Sequence, residues 1–228
     1  VAHSLIDAEV STKNEFFSYL NEKFLLTKSG KKNFDQIIFC RRDATEANIP
    51  KSIKKICSNA FSRCNQLKSV TFDQESSLEI IDSYAFSWSS LLESIVIPPS
   101  VKLVGSCAFY NMNNLISVQL LADEITVEDC CFQHCNNLKE ISFPNATKIF
   151  IDGPIPANTK VMVKKDVELT GDLIEENSKC FQYDDKSVKD GDAVVVEEEE
   201  EKEEAKIDES ELKTISMTMK QFNEIVEH

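Results

Sequence analysis

Residues 49–72 read IPKSIKKICSNAFSRCNQLKSVTF, from Ile49 to Phe72. Within them Ile56, Phe61, Leu67, Val70 and Phe72 mark out a spacing that returns downstream. Phe61, Phe86, Phe109 and Phe132 lie 25, 23 and 23 residues apart, each after a small residue: Ala60, Ala85, Ala108 and Cys131. Five residues before them stand Ile56, Ile81, Val104 and Val127. Six after them come Leu67, Leu92, Leu115 and Leu138, and nine after them Val70, Ile95, Val118 and Ile141. Eleven after them lie Phe72, Ile97, Leu120 and Phe143. All twenty-four positions are apolar in a chain that is 42% apolar, a coincidence with a chance of about 10⁻⁹. The sequence is a repeat.

The spacing carries its own physics. Val70 and Phe72, like their three counterparts, stand two apart, the period of a strand that shows one face to a core. The stretch from Ser58 to Cys64 reads as a turn or a brief helix, with Ser58, Ser83, Ser106 and Asp129 as candidate caps for exposed N–H groups. One repeat buries too little apolar surface to offset its ordering entropy, whereas stacked repeats bury a continuous ladder of Phe, Leu and Ile or Val. The extra two residues between the first and second repeats fall in Asp73–Ser77, a polar loop. The predicted architecture is a solenoid with a parallel strand ladder and short turns or helical segments.

These residues resemble the BspA-like class of leucine-rich repeat, whose form is I-P-x-x-[VI]-x-x-[IV]-x-x-x-A-F-x-x-C-x-x-L-x-x-[IV]-x-[IFL]. Ile49-Pro50 through Phe72 matches nearly in full, with Cys64 in the Cys column. Ile97-Pro98 through Leu120 matches with Met112 there, and residues 78–97 match with Ser89. Residues 121–143 place Cys131 for the Ala and Cys135 in the Cys column, and depart at Glu124, where an aliphatic is expected. The resemblance covers about residues 34–164. It implies a parallel solenoid that binds other proteins, as many such proteins do at the surfaces of anaerobic bacteria and parasitic protists. It brings no catalytic residues with it.

The flanks divide the rest of the chain. Phe16, Phe17, Leu20 and Phe24 have helical spacing after the capping candidate Thr12, which predicts a helical N-terminal cap within residues 1–33. Phe34–Cys40 reads as a lead-in strand, and Ile149–Ile151 with Lys160–Val163 as a degenerate last coil. Residues 165–206 read as an acidic, flexible linker. Residues 207–228 form an amphipathic helix in this reading, with Leu212, Ile215, Met219, Phe222 and Val226 on one stripe.

Charge follows the same division. Residues 165–228 carry 21 Asp/Glu and 8 Lys/Arg, and residues 21–70 carry eleven Lys/Arg against four Asp/Glu. A net charge of −14 disfavours bulk binding to nucleic acid or membrane. The basic end alone offers Lys28, Lys31, Lys32, Arg41 and Arg42 to an acidic partner, whether a protein, RNA or an acidic filament. No run of eighteen apolar residues is present, and no segment reads as a signal peptide.

Little here supports catalysis. The five glycines never cluster into a phosphate-cradling loop, and there are three histidines. Cys130, Cys131, His134 and Cys135 have the atoms for zinc, but Cys131 should point inward beside Phe132. Most of the eight cysteines fall in repeat columns, so they are expected as free thiols, which favours a reducing compartment. No enzyme activity and no cofactor is expected. The expectation is a protein-binding scaffold or subunit in the cytoplasm, with a cell-surface adhesin as the alternative. Partner contacts fall on the outward strand positions Ser69, Thr71, Ser94, Val96, Ser117, Gln119, Glu140 and Ser142, read as one continuous strip.

Overall fold

The computed structural model describes residues 16–21, 23–30, 33–171 and 180–183. An N-terminal group of strands comprises β1 (Ser18–Leu20), β2 (Phe24–Lys28), β3 (Phe34–Cys40) and β4 (Glu46–Ile49). The repeats proper give β5 (Lys55–Ile56), β6 (Ser69–Phe72), β7 (Ile80–Ile81), β8 (Ser94–Ile97), β9 (Leu103–Val104) and β10 (Ser117–Leu120). They continue in β11 (Glu124–Val127), β12 (Glu140–Phe143), β13 (Lys148–Ile151), β14 (Lys160–Lys164), β15 (Glu168–Thr170) and β16 (Cys180–Tyr183). Each coil sends a strand to each of two opposed sheet faces. One face is a nine-stranded sheet in the order β1-β2-β3-β5-β7-β9-β11-β13-β15. The other holds a two-stranded sheet, β4-β6, and a five-stranded sheet, β8-β10-β12-β14-β16. From β3 onward all pairing is parallel and in register, as the constant repeat requires.

The core lies between the two faces, and the Phe column runs through it. Phe61, Phe86 and Phe109 have no exposure and Phe132 has 1%. Phe86–Phe109 and Phe109–Phe132 stack at centroid distances of 5.5 and 5.6 Å with planes 3° apart. The Leu and Ile/Val columns around them are buried as well. Each ring fills the volume left by the coils on either side, so no coil has a complete core alone.

The turn before each strand of the second face is bent by left-handed residues two before and two after the Phe. Asn59, Tyr84, Cys107 and Cys130 have φ of 61, 58, 56 and 56°, and Arg63, Trp88, Asn111 and His134 have 59, 62, 56 and 61°. A side chain in this region costs about 1–2 kcal/mol. The bends turn N–H groups along the solenoid axis, and Phe61, Phe86 and Phe109 donate to the carbonyls of Ala85, Ala108 and Cys131 at 2.8, 2.8 and 3.0 Å. Inter-coil bonds of this kind offset the strain. Among the described residues these segments are turns, and none forms a helix. At the start of two of these turns carboxylates are the acceptors: Asp82 Oδ1 takes the Ser83 N–H, and Glu128 Oε2 takes that of Ser106.

The helical N-terminal cap expected within residues 1–33 is not formed by the described part of that segment. β1 and β2 make an antiparallel hairpin around Asn21, which has φ 51°, and β2 pairs antiparallel with β3. Phe24 and Leu26 alternate inward, and Phe24 is 1% exposed with its ring 5.8 Å from that of Phe61. Phe16, placed on the same stripe as Phe24 by the helical reading, is 73% exposed. The decisive term is the open edge of β3: a strand satisfies its backbone groups and a helix does not. Helical spacing lost to edge pairing.

At the other end, pairing continues past residue 164 through β15 and β16. The departure at Glu124 is absorbed locally. Glu124 opens β11 at the surface, and Ile125, Val127 and Ala122 take the buried places. Residues 207–228, the acidic run from Glu197 and the cations Lys31 and Lys32 lie outside the described residues.

Candidate protein-interaction face

The eight outward residues named from the repeat lie on the second face, as alternation demands. Ser94 and Ser117 align, as do Ser117 and Glu140, and the neighbouring column aligns Val96, Gln119 and Ser142. Their inward neighbours Ile95, Val118 and Ile141 are in the core, which fixes the outward direction of the eight. Val96 is 49% exposed, an aliphatic side chain on the edge strand of a hydroxyl-rich surface.

Six of the eight form one strip and two do not join it. Ser69 and Thr71 belong to β6, which pairs with β4 and is not in the sheet that begins at β8. Thr71 Oγ1 bonds Asn48 Oδ1 at 2.6 Å, so these two residues continue toward Glu46 and Asn48. The continuous strip expected from sequence is therefore divided. Part of the cause is the longer spacing, 25 residues against 23, which places the Asp73–Ser77 loop beside β8. Another part is Pro98. Asp73 donates its N–H to Ile49 O and Leu121 to Ile97 O at 3.0 and 3.1 Å, but Pro98, the equivalent residue between them, has no N–H to give Phe72. A groove of about 450 Å³ marks the break, walled by residues that include Thr71, Phe72, Val96, Pro98 and Leu121.

The strip extends further the other way. Lys160 pairs with Glu140 and Met162 with Ser142, which adds β14 to both columns. Sequence reading missed these two residues, although the alternation Val161-x-Val163 signals the strand that carries them. Their coil follows the last full repeat after 20 residues rather than 23, which hid the column.

Lys28, Arg41 and Arg42, the described members of the basic set, do not gather into a patch. Arg41 is held by Asp43 through Nε and Nη2 at 3.0 and 2.7 Å. Arg42 turns inward, with Nη1 3.0 Å from the carbonyls of Cys40 and Ala60 and 3.3 Å from Cys64 Sγ, and it lies over the Phe39 ring. Lys28 sits over Phe34. These cations serve the chain's own end.

Cys130, Cys131, His134 and Cys135 are not brought together. Cys131 is in the core, where burial pushes its thiol well up, and Cys135 Sγ donates to Phe109 O at 2.9 Å. His134 packs edge-on against Tyr110, and Cys130 stands beside Asp129. Among the described residues, no group of three or more His, Cys, Asp or Glu converges as metal ligands would. The buried Cys column is more polar than expected. Ser89 Oγ donates to Phe61 O at 2.7 Å, the same role that Cys135 plays two coils on, so the column caps a carbonyl as well as filling space.

A stack of parallel coils with this column chemistry fits a known repeat model. The model described as BspA type leucine rich repeat region matches six copies, over residues 32–154 and 72–184. The chain belongs to the BspA-type leucine-rich repeat family. The solved leucine-rich repeat protein of Eubacterium ventriosum aligns at TM-score 0.52 and 21% identity, over 70% of this chain and 44% of its own. The T. pallidum leucine-rich repeat protein aligns at TM-score 0.41 and 16% identity, over 76% and 86%. The pneumococcal vaccine antigen PcpA aligns at TM-score 0.31 and 25% identity, over 60% and 32%. The first of these supports the fold, and the lower scores of the others add nothing to it. The chain spans less than half the length of the E. ventriosum protein and about a third of PcpA. No curated protein matches the chain. Among the described residues no helix is long and apolar enough to cross a membrane.

Proposed function

We propose that this BspA-type repeat chain is a non-enzymatic protein-binding module whose partner docks on the outer face of β8, β10, β12 and β14. The observation that carries the reading is the register: Ser94, Ser117 and Glu140 in one column, Val96, Gln119 and Ser142 in the next, with Val96 half out of the surface. Short hydroxyls carry no charge to desolvate, and Val96, on the edge strand beside the groove, adds exposed apolar area to them. A strip with one acid and one base among its columns suits a protein surface better than a phosphate backbone. Ser69 and Thr71 lie across the groove and would contact a partner that spans it.

The same reading places the module in a larger intracellular assembly, as scaffold or subunit. Its support is cysteine usage: Cys40, Cys64, Cys131 and Cys135 stand in the core as free thiols, the chemistry of a reducing compartment. The rival is a cell-surface adhesin of the BspA type, which would use the same strip. A photo-crosslinking residue placed at Val96 tests the site. Capture of the same protein from Val96 and Gln119, and not from Trp88 on the turn edge, is expected. Equal capture from all three positions would move the interface off the strip.

A further inference from the structure

Two cysteines occupy the same place in consecutive turns. Cys107 and Cys130 both have φ 56°, and the Cys107 N–H donates to Asp129 O at 3.0 Å, which holds the turns in register. Equivalent residues of neighbouring parallel coils lie about 4.8 Å apart, within the Cα separation of about 4.4–6.8 Å that a disulfide spans. Cys130 Sγ has two acceptors within reach, Asp129 Oδ1 at 3.1 Å and the Cys107 sulfur. The Cys107 sulfur also accepts from the Tyr84 hydroxyl. Cys107 is 9% exposed and Cys130 more so. A sulfur with two donors, a second thiol in contact and a path to solvent together make a built site for oxidation.

We propose that Cys107 and Cys130 are a peroxide-sensitive dithiol, which closes to a disulfide between adjacent coils. Cys107 is the nucleophile. Its thiolate attacks the O–O bond of a hydroperoxide, taking one oxygen as sulfenic acid and releasing hydroxide or alkoxide. The Cys130 sulfur then attacks the Cys107 sulfur; the S–S bond forms, the S–O bond breaks, and the hydroxyl leaves as water with the Cys130 proton. Two thiols have lost two electrons, and the peroxide has gained them. A small oxidant suits a sulfur with so little exposure.

The electrostatics agree with this division of roles. Donation from Cys130 brings the Cys107 thiol down to about 7, with Tyr84 assisting, against the opposing push of burial and of the Asp129 carboxylate. Contact with Cys107, burial and Asp129 all push the Cys130 thiol up. Tyr110, whose own hydroxyl is pushed up by burial, faces the pair from the same edge. The thiolate fraction of Cys107 therefore rises as pH climbs through about 7. A second pair in contact, Cys40 and Cys64, supplies an internal control. Both sulfurs contact Arg41 O, at 3.5 and 3.9 Å, and both residues have no exposure, so peroxide cannot reach them in the folded chain.

The test is exposure of the folded full chain to hydrogen peroxide, alkylation of remaining thiols, digestion and mass spectrometry. No Lys or Arg stands between Lys102 and Lys139, so cleavage after Glu124 and Glu128 is what separates the two cysteines. The expected result is a linked Cys107–Cys130 peptide that forms before any Cys40–Cys64 link and disappears on reduction. In Cys130→Ser, a sulfenic acid trapped by dimedone should persist on Cys107. Should that variant not fold, the wild-type pH profile serves: the link should form at half its maximal rate near pH 7, and Tyr84→Phe should move that point upward. Absence of the link from the oxidised folded chain overturns the proposal. So does a Cys40–Cys64 link that forms as fast.

Discussion

The rings of Phe86 and Phe109 lie one coil apart with centroids 5.5 Å distant and planes 3° from parallel. Neither ring has any exposure, and each touches the Phe of the next coil as well. Phe109→Ala should cost about 3–5 kcal/mol, because transfer and cavity terms both apply and neighbouring coils cannot collapse independently. Chemical denaturation measures it. An unchanged midpoint would mean that the Phe column does not hold the coils together.

Much of this was legible in the sequence for a simple reason. A solenoid repeats its packing problem, so Phe61, Phe86, Phe109 and Phe132 state one solution four times. The N-terminal strands have no such repetition: Phe16, Phe17, Leu20 and Phe24 fit a helix by spacing, and the strand β2 by what β3 leaves unpaired. That edge is invisible in a local window. The division of the outward strip is similar, since it depends on a missing N–H at Pro98 opposite a longer loop. Lys160 and Met162 fall in the segment read as a degenerate last coil, but their place in the strip was hidden because that coil is shorter.

The N-terminal hairpin makes opposite demands from a helix at Asn21. With φ 51° in its turn, Asn21→Gly should leave stability unchanged or raise it, whereas Asn21→Val should cost about 1–2 kcal/mol. In a helix the order reverses, since Gly is the poorer helix former. Denaturation of the two variants side by side separates these outcomes.

Ser89 shows what the Cys column requires. Its hydroxyl donates to Phe61 O at 2.7 Å and accepts the Cys64 N–H at 3.2 Å, with the side chain fully buried. Ser89→Ala should cost about 1–3 kcal/mol, the penalty for stranding buried backbone groups. Ser89→Cys keeps a donor in the same place, as Cys135 does, and should cost less. Equal losses in the two variants would reduce the column to space filling.

Asp82 gives the fold an acid-sensitive tie. Burial alone would push its carboxyl up, but the Lys55 ammonium at 2.6 Å and donors from Ser83 and Ser58 hold it below the ordinary carboxylate range. A group with a lowered folded pKa contributes stability above its unfolded value near 3.8, and loses it as pH falls through the folded value. Asp82→Asn should therefore be less stable than wild type at pH 7 and approach it at low pH. A difference that stayed constant with pH would show that the carboxylate charge plays no part.

The central claim is that the strip on β8, β10, β12 and β14 is the binding face. Val96→Arg with Gln119→Arg places two cations side by side in one column of that strip, while Ile95 and Val118 keep the core intact. The measurement is affinity capture of the crosslinked partner by wild type and double variant, alongside thermal melts of both. The account predicts loss of capture with a melt within a few degrees of wild type. Full capture by the folded double variant would contradict it.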